Sequence, residues 1–171
     1  MDAERIRRIN QAAIEASATW TYGRRPYHVS AENRPQRLCD ASPAQRRVAY
    51  WAARTTASGV NLCAQWIERV YAAAGVWYCT VDAEKIYEWY CPLTELPDLK
   101  VGMAVAVPSH PHSMSGRVLG HVGLYVGDDL IADCMGAKVR HAPLEAWLNV
   151  YGTMSEPRWG WLFSVDLSTC S

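Results

Sequence analysis

Gly120-His121-Val122-Gly123-Leu124-Tyr125-Val126-Gly127 runs into Asp128-Asp129 and then into Leu130-Ile131-Ala132-Asp133. Apolar, β-branched and aromatic residues bounded by Gly and Asp read as two strands joined by a tight turn. In such a hairpin His121 and Asp133 stand on adjacent strands. Side chains two apart share a face, so His121, Gly123 and Tyr125 point the same way. The flanking glycines leave room around an imidazole. A histidine with a carboxylate on the next strand is the base-and-orienter half of a nucleophilic site. A lone strand histidine is more often structural, so the reading depends on a nucleophile elsewhere in the chain.

Asn61-Leu62-Cys63-Ala64-Gln65-Trp66-Ile67-Glu68-Arg69-Val70-Tyr71-Ala72-Ala73-Ala74-Gly75 supplies one. Ile67, Val70, Tyr71 and Ala74 recur at three- and four-residue spacing, the period of a helix with one apolar face. Gly75 suits the left-handed residue after the last turn. Asn61 is a good N-cap, which leaves Cys63 in the first turn. Unpaired N–H groups and the helix dipole there favour an anion, and the thiolate is the nucleophilic form of cysteine. Taken alone, a cysteine at a helix start is usually a small buried residue. Taken with His121 and Asp133, it completes a nucleophile, base and orienter in chain order.

These blocks resemble the NlpC/P-sixty cysteine peptidases, a branch of the papain-like clan that also includes the CHAP amidases. The resemblance rests on Cys63 opening a helix, on Leu99-Lys100-Val101-Gly102-Met103-Ala104-Val105 before the sheet, and on the His121 block. It continues through Ile131-Ala132-Asp133, where the family keeps its third polar residue, and covers roughly Gly59 to Leu167. The family usually writes Asp-Cys-Ser-Gly around its nucleophile; this chain writes Leu62-Cys63-Ala64-Gln65. Gly23-Arg24-Arg25-Pro26-Tyr27 loosely matches a family segment whose tyrosine sits near the cysteine. The resemblance implies an α+β, papain-like fold, an antiparallel sheet packed against helices; the amino-terminal helices read from the residues are extra to it. It implies Cys63, His121 and Asp133 as the catalytic residues. Its implied substrate is a peptide or peptidoglycan fragment, typically cut between D-glutamate and a diamino acid. The oxyanion would be held by the Cys63 N–H, with Tyr27 or Gln65 as second donor.

The chain's 171 residues suit one domain with a full-sized core. An amino-terminal helical region over 1–58 and a catalytic core over 59–167 are expected within it. Half the residues are apolar and net charge is zero, so composition offers no nucleic-acid partner. Residues 1–54 hold ten Arg against five acids, which fits a solvated basic helix or an anionic partner surface. The six cysteines form no C-x-x-C pair and no zinc spacing, and neither a metal nor an organic cofactor is expected. With no signal peptide and no apolar run near twenty residues, the expected compartment at synthesis is a reducing cytoplasm, with export by a non-classical or phage route.

Along the rest of the chain, 2–18 reads as a helix, and Ser42-Pro43 as the start of another to about Thr56, with Val48, Trp51 and Ala52 inward. Asp82 heads a short helix carrying Ile86 and Trp89-Tyr90. Val101 to Val107 reads as the first core strand. Ser109 to Arg117, with His110 and His112, reads as a solvated loop at the cleft rim. Gly136 to His141 reads as a turn and strand, Pro143 to Val150 as a short helix, and Trp159 to Leu167 as the closing strand. The expected activity is thiol-dependent amide hydrolysis. The competing expectations are a phage tail or secretion-effector component that uses the fold for binding, and a thiol hydrolase of a non-wall amide.

Overall fold

The computed structural model describes residues 26–60, 62–76 and 80–169. The helix expected over 2–18, the Asn61 cap, Cys79 and Cys170 lie outside them. The architecture is α+β. Five antiparallel strands, β1 (Ala104–Val107), β2 (His121–Gly127), β3 (Leu130–Met135), β4 (Lys138–Pro143) and β5 (Arg158–Gly160), form one sheet in the order β4-β3-β2-β1-β5. Helices α1 (Pro43–Ala52), α2 (Cys63–Ala73), α3 (Ala83–Tyr90), α4 (Met114–Leu119) and α5 (Leu144–Tyr151) surround it.

Alternation along the strands divides the core into two layers. Ala104, Ala106, Val122, Leu124, Ala132 and Cys134 face α1, α2 and α3 and meet Val48, Trp66, Ile67, Val70 and Ile86. Val105, Val107, Tyr125 and Ile131 face the other way and meet Leu144, Trp147, Leu148 and Tyr151 of α5. Each large apolar side chain of α2 so buried contributes roughly 1.5–3 kcal/mol, which makes this helix a fixed platform for its first residue. The β2–β3 turn is two residues, Asp128 (φ 51°) and Asp129 (φ 60°), both left-handed as a type I′ hairpin turn requires.

α1 starts as its sequence specifies. Ser42 Oγ accepts the Gln45 N–H at 3.2 Å, and Gln45 Oε1 accepts the Ser42 N–H at 2.7 Å. The helix stops at Ala52 rather than near Thr56. The carbonyls beyond it are taken by α2, Thr55 O accepting from Trp66 Nε1 at 3.0 Å and Thr56 O from Arg69 Nη1 at 3.3 Å. Trp51, expected inward, is 36 % exposed: Val48 and Ala52 fill the inner face and Trp51 lies edge-on to Tyr50. β1 begins three residues later than expected, because Gly102 (φ 90°) turns the chain at the strand's entrance. β5 is only three residues long. A side chain at Gly160 would stand 1.9 Å from Tyr90 O, and beyond it the chain leaves the sheet into a short 3-10 turn at Leu162–Ser164.

Candidate active site

Cys63 is the first residue of α2, and Leu62 occupies the N-cap position with no side-chain capping bond. The first-turn N–H groups of this helix are therefore not consumed by its cap. His121 is the first residue of β2. The turn into it is made by Gly120 (φ 71°, ψ −157°), where a Cβ would sit 2.1 Å from Val107 O. Asp133 is in β3, opposite Gly123. The site thus forms at one end of the sheet, where the layer carrying α2 meets the layer carrying α5.

His121 Nε2 lies 2.8 Å from Asp133 Oδ2, and both side chains are buried. An ionised carboxylate only accepts, so this nitrogen carries a proton, and Nδ1 is the ring nitrogen left for the Cys63 thiol. Burial opposes ionisation of that thiol. The hydrogen bond and charge of His121, together with the Val122 and Ala64 N–H groups, outweigh it and hold the Cys63 thiol below its ordinary value. Burial likewise disfavours the imidazolium, but hydrogen bonds to Asp133 and Cys63 push His121 up to about 9. Burial works against the Asp133 charge too, yet Arg140 and His121 keep the group well below the usual carboxylate range.

Four hydrogen bonds converge on Asp133. Oδ2 accepts from His121, from Trp147 Nε1 at 2.9 Å and from Arg140 Nη2 at 2.9 Å; Oδ1 accepts from Arg140 Nε at 2.6 Å. Arg140 Nη2 also donates to Tyr151 Oη at 2.6 Å. The His121 ring stacks on Trp147 with centroids 5.8 Å apart and leans on Tyr151 at 4.5 Å. None of Arg140, Trp147 and Tyr151 is marked by the sequence reading. Arg140 had a signal: the short Gly136 turn pairs it directly with Asp133 across β3–β4. Trp147 and Tyr151, four apart on a helix, look like ordinary core.

A cleft of about 330 Å³ opens over Cys63 and His121, lined also by Val60, Asp82, His110, Ser113, Leu119, Met135 and Tyr151. Asp82 is the one acidic residue among the described residues that line it. Neither Tyr27 nor Gln65 lines it. Tyr27 sits beside α5, its N–H donating to Asn149 Oδ1 at 2.8 Å and its carbonyl accepting from Asn149 Nδ2 at 3.0 Å. His110, expected in a solvated loop, is 5 % exposed, and the segment after it forms α4. Cys134, on the face opposite Asp133, is buried in the α2 layer and also reaches the cleft wall. His141 pairs with Ala132 and borders a separate hollow beside Tyr50 and Leu130. Among the described residues no group of three or more His, Cys, Asp or Glu side chains is placed to hold a metal ion, and no helix is long and apolar enough to cross a membrane. No family model matches the chain, and no curated protein matches it.

Proposed function

We propose that the protein is a cysteine hydrolase that cleaves an amide bond through Cys63, His121 and Asp133. The observation that carries this reading is the 2.8 Å hydrogen bond between His121 and the buried Asp133 carboxylate, with Cys63 and His121 lining one cleft and the imidazole favouring the thiolate. His121 Nδ1 takes the Cys63 proton, and the thiolate adds to the amide carbon. The same imidazolium then protonates the leaving amine, and water attacks the resulting thioester with His121 as base. Asp133 stays ionised throughout and holds the ring in the tautomer that presents Nδ1 to sulfur. The likeness to the NlpC/P-sixty peptidases supports a papain-like fold and a peptidoglycan stem peptide as substrate.

A second reading, a thiol hydrolase of a non-wall amide, is favoured by the residues around the cleft. Leu62 and Ala64 flank the nucleophile where the family places groups that receive a substrate amine. The rim carries exposed Val60, Leu119 and Met135. Asp82 is the one carboxylate among the described cleft residues that could receive an ammonium, which would otherwise be costly to bury there. Digestion of purified peptidoglycan and muropeptides, analysed by mass spectrometry, separates the two. New amine and carboxylate termini formed by the wild type and not by Cys63→Ala support the wall peptidase. Intact muropeptides alongside turnover of an apolar acyl amide move the substrate to the second class, and no thiol-dependent turnover of either overturns the hydrolase.

A further inference from the structure

We infer that His110 is the oxyanion donor of the site, through its Nε2–H. This rests on the reading of Cys63 as nucleophile and goes beyond it, because the donors expected from the sequence, Tyr27 and Gln65, do not line the cleft. His110 does. Its ring is buried beside the site, 5.8 Å from the His121 ring and nearly perpendicular to it. The tautomer is set by the backbone: the His112 N–H donates to His110 Nδ1 at 3.2 Å, so in the neutral ring the proton resides on Nε2. Among the described residues His110 Nε2 makes no hydrogen bond, and the atom is not sealed inside the core but belongs to a ring lining the cleft. An unused donor on a buried ring that faces a cleft is available to whatever fills the cleft.

The ring is also held still. Its Cε1–Nε2 edge lies against Gly116, where a Cβ would be 2.1 Å from both atoms, so α4 can approach it only with glycine at this position. The His110 N–H donates to Gly116 O at 3.0 Å, His112 stacks on the ring at 5.4 Å, and Tyr151 meets it edge-on at 5.1 Å. His112 is itself fixed, its Nε2 lying 2.9 Å from Val150 O. A donor fixed in advance of reaction is the arrangement that stabilises charge developing on a carbonyl oxygen. Burial and the neighbouring His121 and His112 pull the His110 pKa down to about 4, so at neutral pH it offers a hydrogen bond without adding a second cation beside His121.

Two reagents distinguish this role from a structural one. Iodoacetamide alkylates the thiolate at a saturated carbon: the C–S bond forms, iodide leaves, and no oxyanion arises. p-Nitrophenyl acetate acylates it through a tetrahedral adduct: the C–S bond forms, charge passes to the carbonyl oxygen, and collapse releases p-nitrophenolate. His110→Ala should lower Cys63 acylation on the order of a hundredfold to a thousandfold while leaving alkylation within about twofold of the wild type. His110→Gln, which restores an N–H donor, should recover part of the loss, with the thermal midpoint of each variant read in parallel. Equal slowing of both reactions, or no slowing of either, overturns the assignment. If wild-type Cys63 is not acylated at all, the nucleophile reading fails and this inference falls with it. Acylation at wild-type rates in His110→Ala removes His110 alone.

Discussion

Asp133 is the residue on which most of the site converges. It has no exposed surface, and its two oxygens accept from a histidine, a tryptophan and an arginine. A carboxylate merely lying at a cleft surface would orient His121 at little structural cost; this one also holds β4 and α5. Asp133→Ala should therefore lower turnover on the order of tenfold to ten-thousandfold, and it should also cost about 2–4 kcal/mol of stability by stranding buried donors. Asp133→Asn should retain more of the fold while losing comparable activity, which urea unfolding and turnover measured together would reveal. Activity within about twofold of wild type would remove the residue from the site. Glu68 makes the opposite case, a buried carboxylate that is weakly partnered. One oxygen accepts the Val81 N–H at 2.6 Å, and the other has no partner among the described residues. Burial raises its pKa from 4.5 to about 7. Between those values the native state holds a proton that the unfolded state has released, so stability falls as pH rises through the interval, by about 3 kcal/mol in all. Glu68→Gln should remove that slope, raising the thermal midpoint at pH about 8 and leaving it nearly unchanged at pH about 4.5. An unchanged slope in the variant would show that the group titrates normally. At this scale Cys63, His121 and Asp133 were legible because their types and chain order carry chemistry. Arg140 was not, because an arginine on an edge strand reads as solvent-facing until its register against Asp133 is known.

The hairpin that carries His121 and Asp133 works because β2 contains Gly123. A Cβ there would stand 2.6 Å from Ile131 Cγ2 and 3.3 Å from Asp133 Cβ, so β3 lies closer than any side chain at 123 would permit. Gly123→Ala should push β3 away and move Asp133 relative to His121. The expected loss is about 1–3 kcal/mol of stability, together with a fall in turnover that persists at temperatures where the variant remains folded. Full activity in a destabilised variant would mean that the sheet yields elsewhere and the pair is preserved. The strands of this hairpin could be read from sequence because alternation and the Asp-Asp turn agree. Sequence pattern makes the first and last strands longer than they are, and the reason is tertiary. Gly102 turns the chain ahead of β1, and the carbonyl of Tyr90 crowds Gly160 and ends β5, neither of which a period of two reports. The segment after β1 misled for a related reason. His110 and Ser113 look like loop residues, yet Ser113 caps α4 by accepting the Gly116 N–H at 2.9 Å, and the imidazole is enclosed as a result.

At the scale of the whole molecule, the sheet separates two layers, and the site lies where both reach its end. α2 brings the thiol from one layer; α5 brings Trp147 and Tyr151 from the other and clamps His121 between them and Asp133. The two-layer arrangement follows from alternation, so it was legible. The role of α5 was not, since an apolar helix stripe looks the same whether it fills a core or holds a histidine. This placement makes four described thiols chemically unequal. Cys91 is buried under α3, and burial pushes its thiol up, away from reaction. Cys134 is buried in the α2 layer. Cys39 is exposed and has Arg37 Nη2 at 2.9 Å, which makes it the competitor on access. Cys63 alone among the four has an imidazole that Asp133 holds protonated, and the Val122 and Ala64 N–H groups add to His121 in lowering its thiol. At mildly acidic pH, iodoacetamide should label Cys63 before Cys39, and the label should abolish turnover. His121→Ala should slow Cys63 labelling at that pH without quickening the others. As pH rises, amide turnover should climb with Cys63 ionisation and then decline as His121 loses its proton near 9, because the leaving amine needs that proton; alkylation, which needs only the thiolate, should not decline. Peptide mapping after limited alkylation, across that pH range and in a Cys39→Ser background as control, decides the matter. Should another cysteine react first, or should Cys63 labelling ignore His121, the thiolate–imidazolium pair is absent and the hydrolase reading loses its nucleophile.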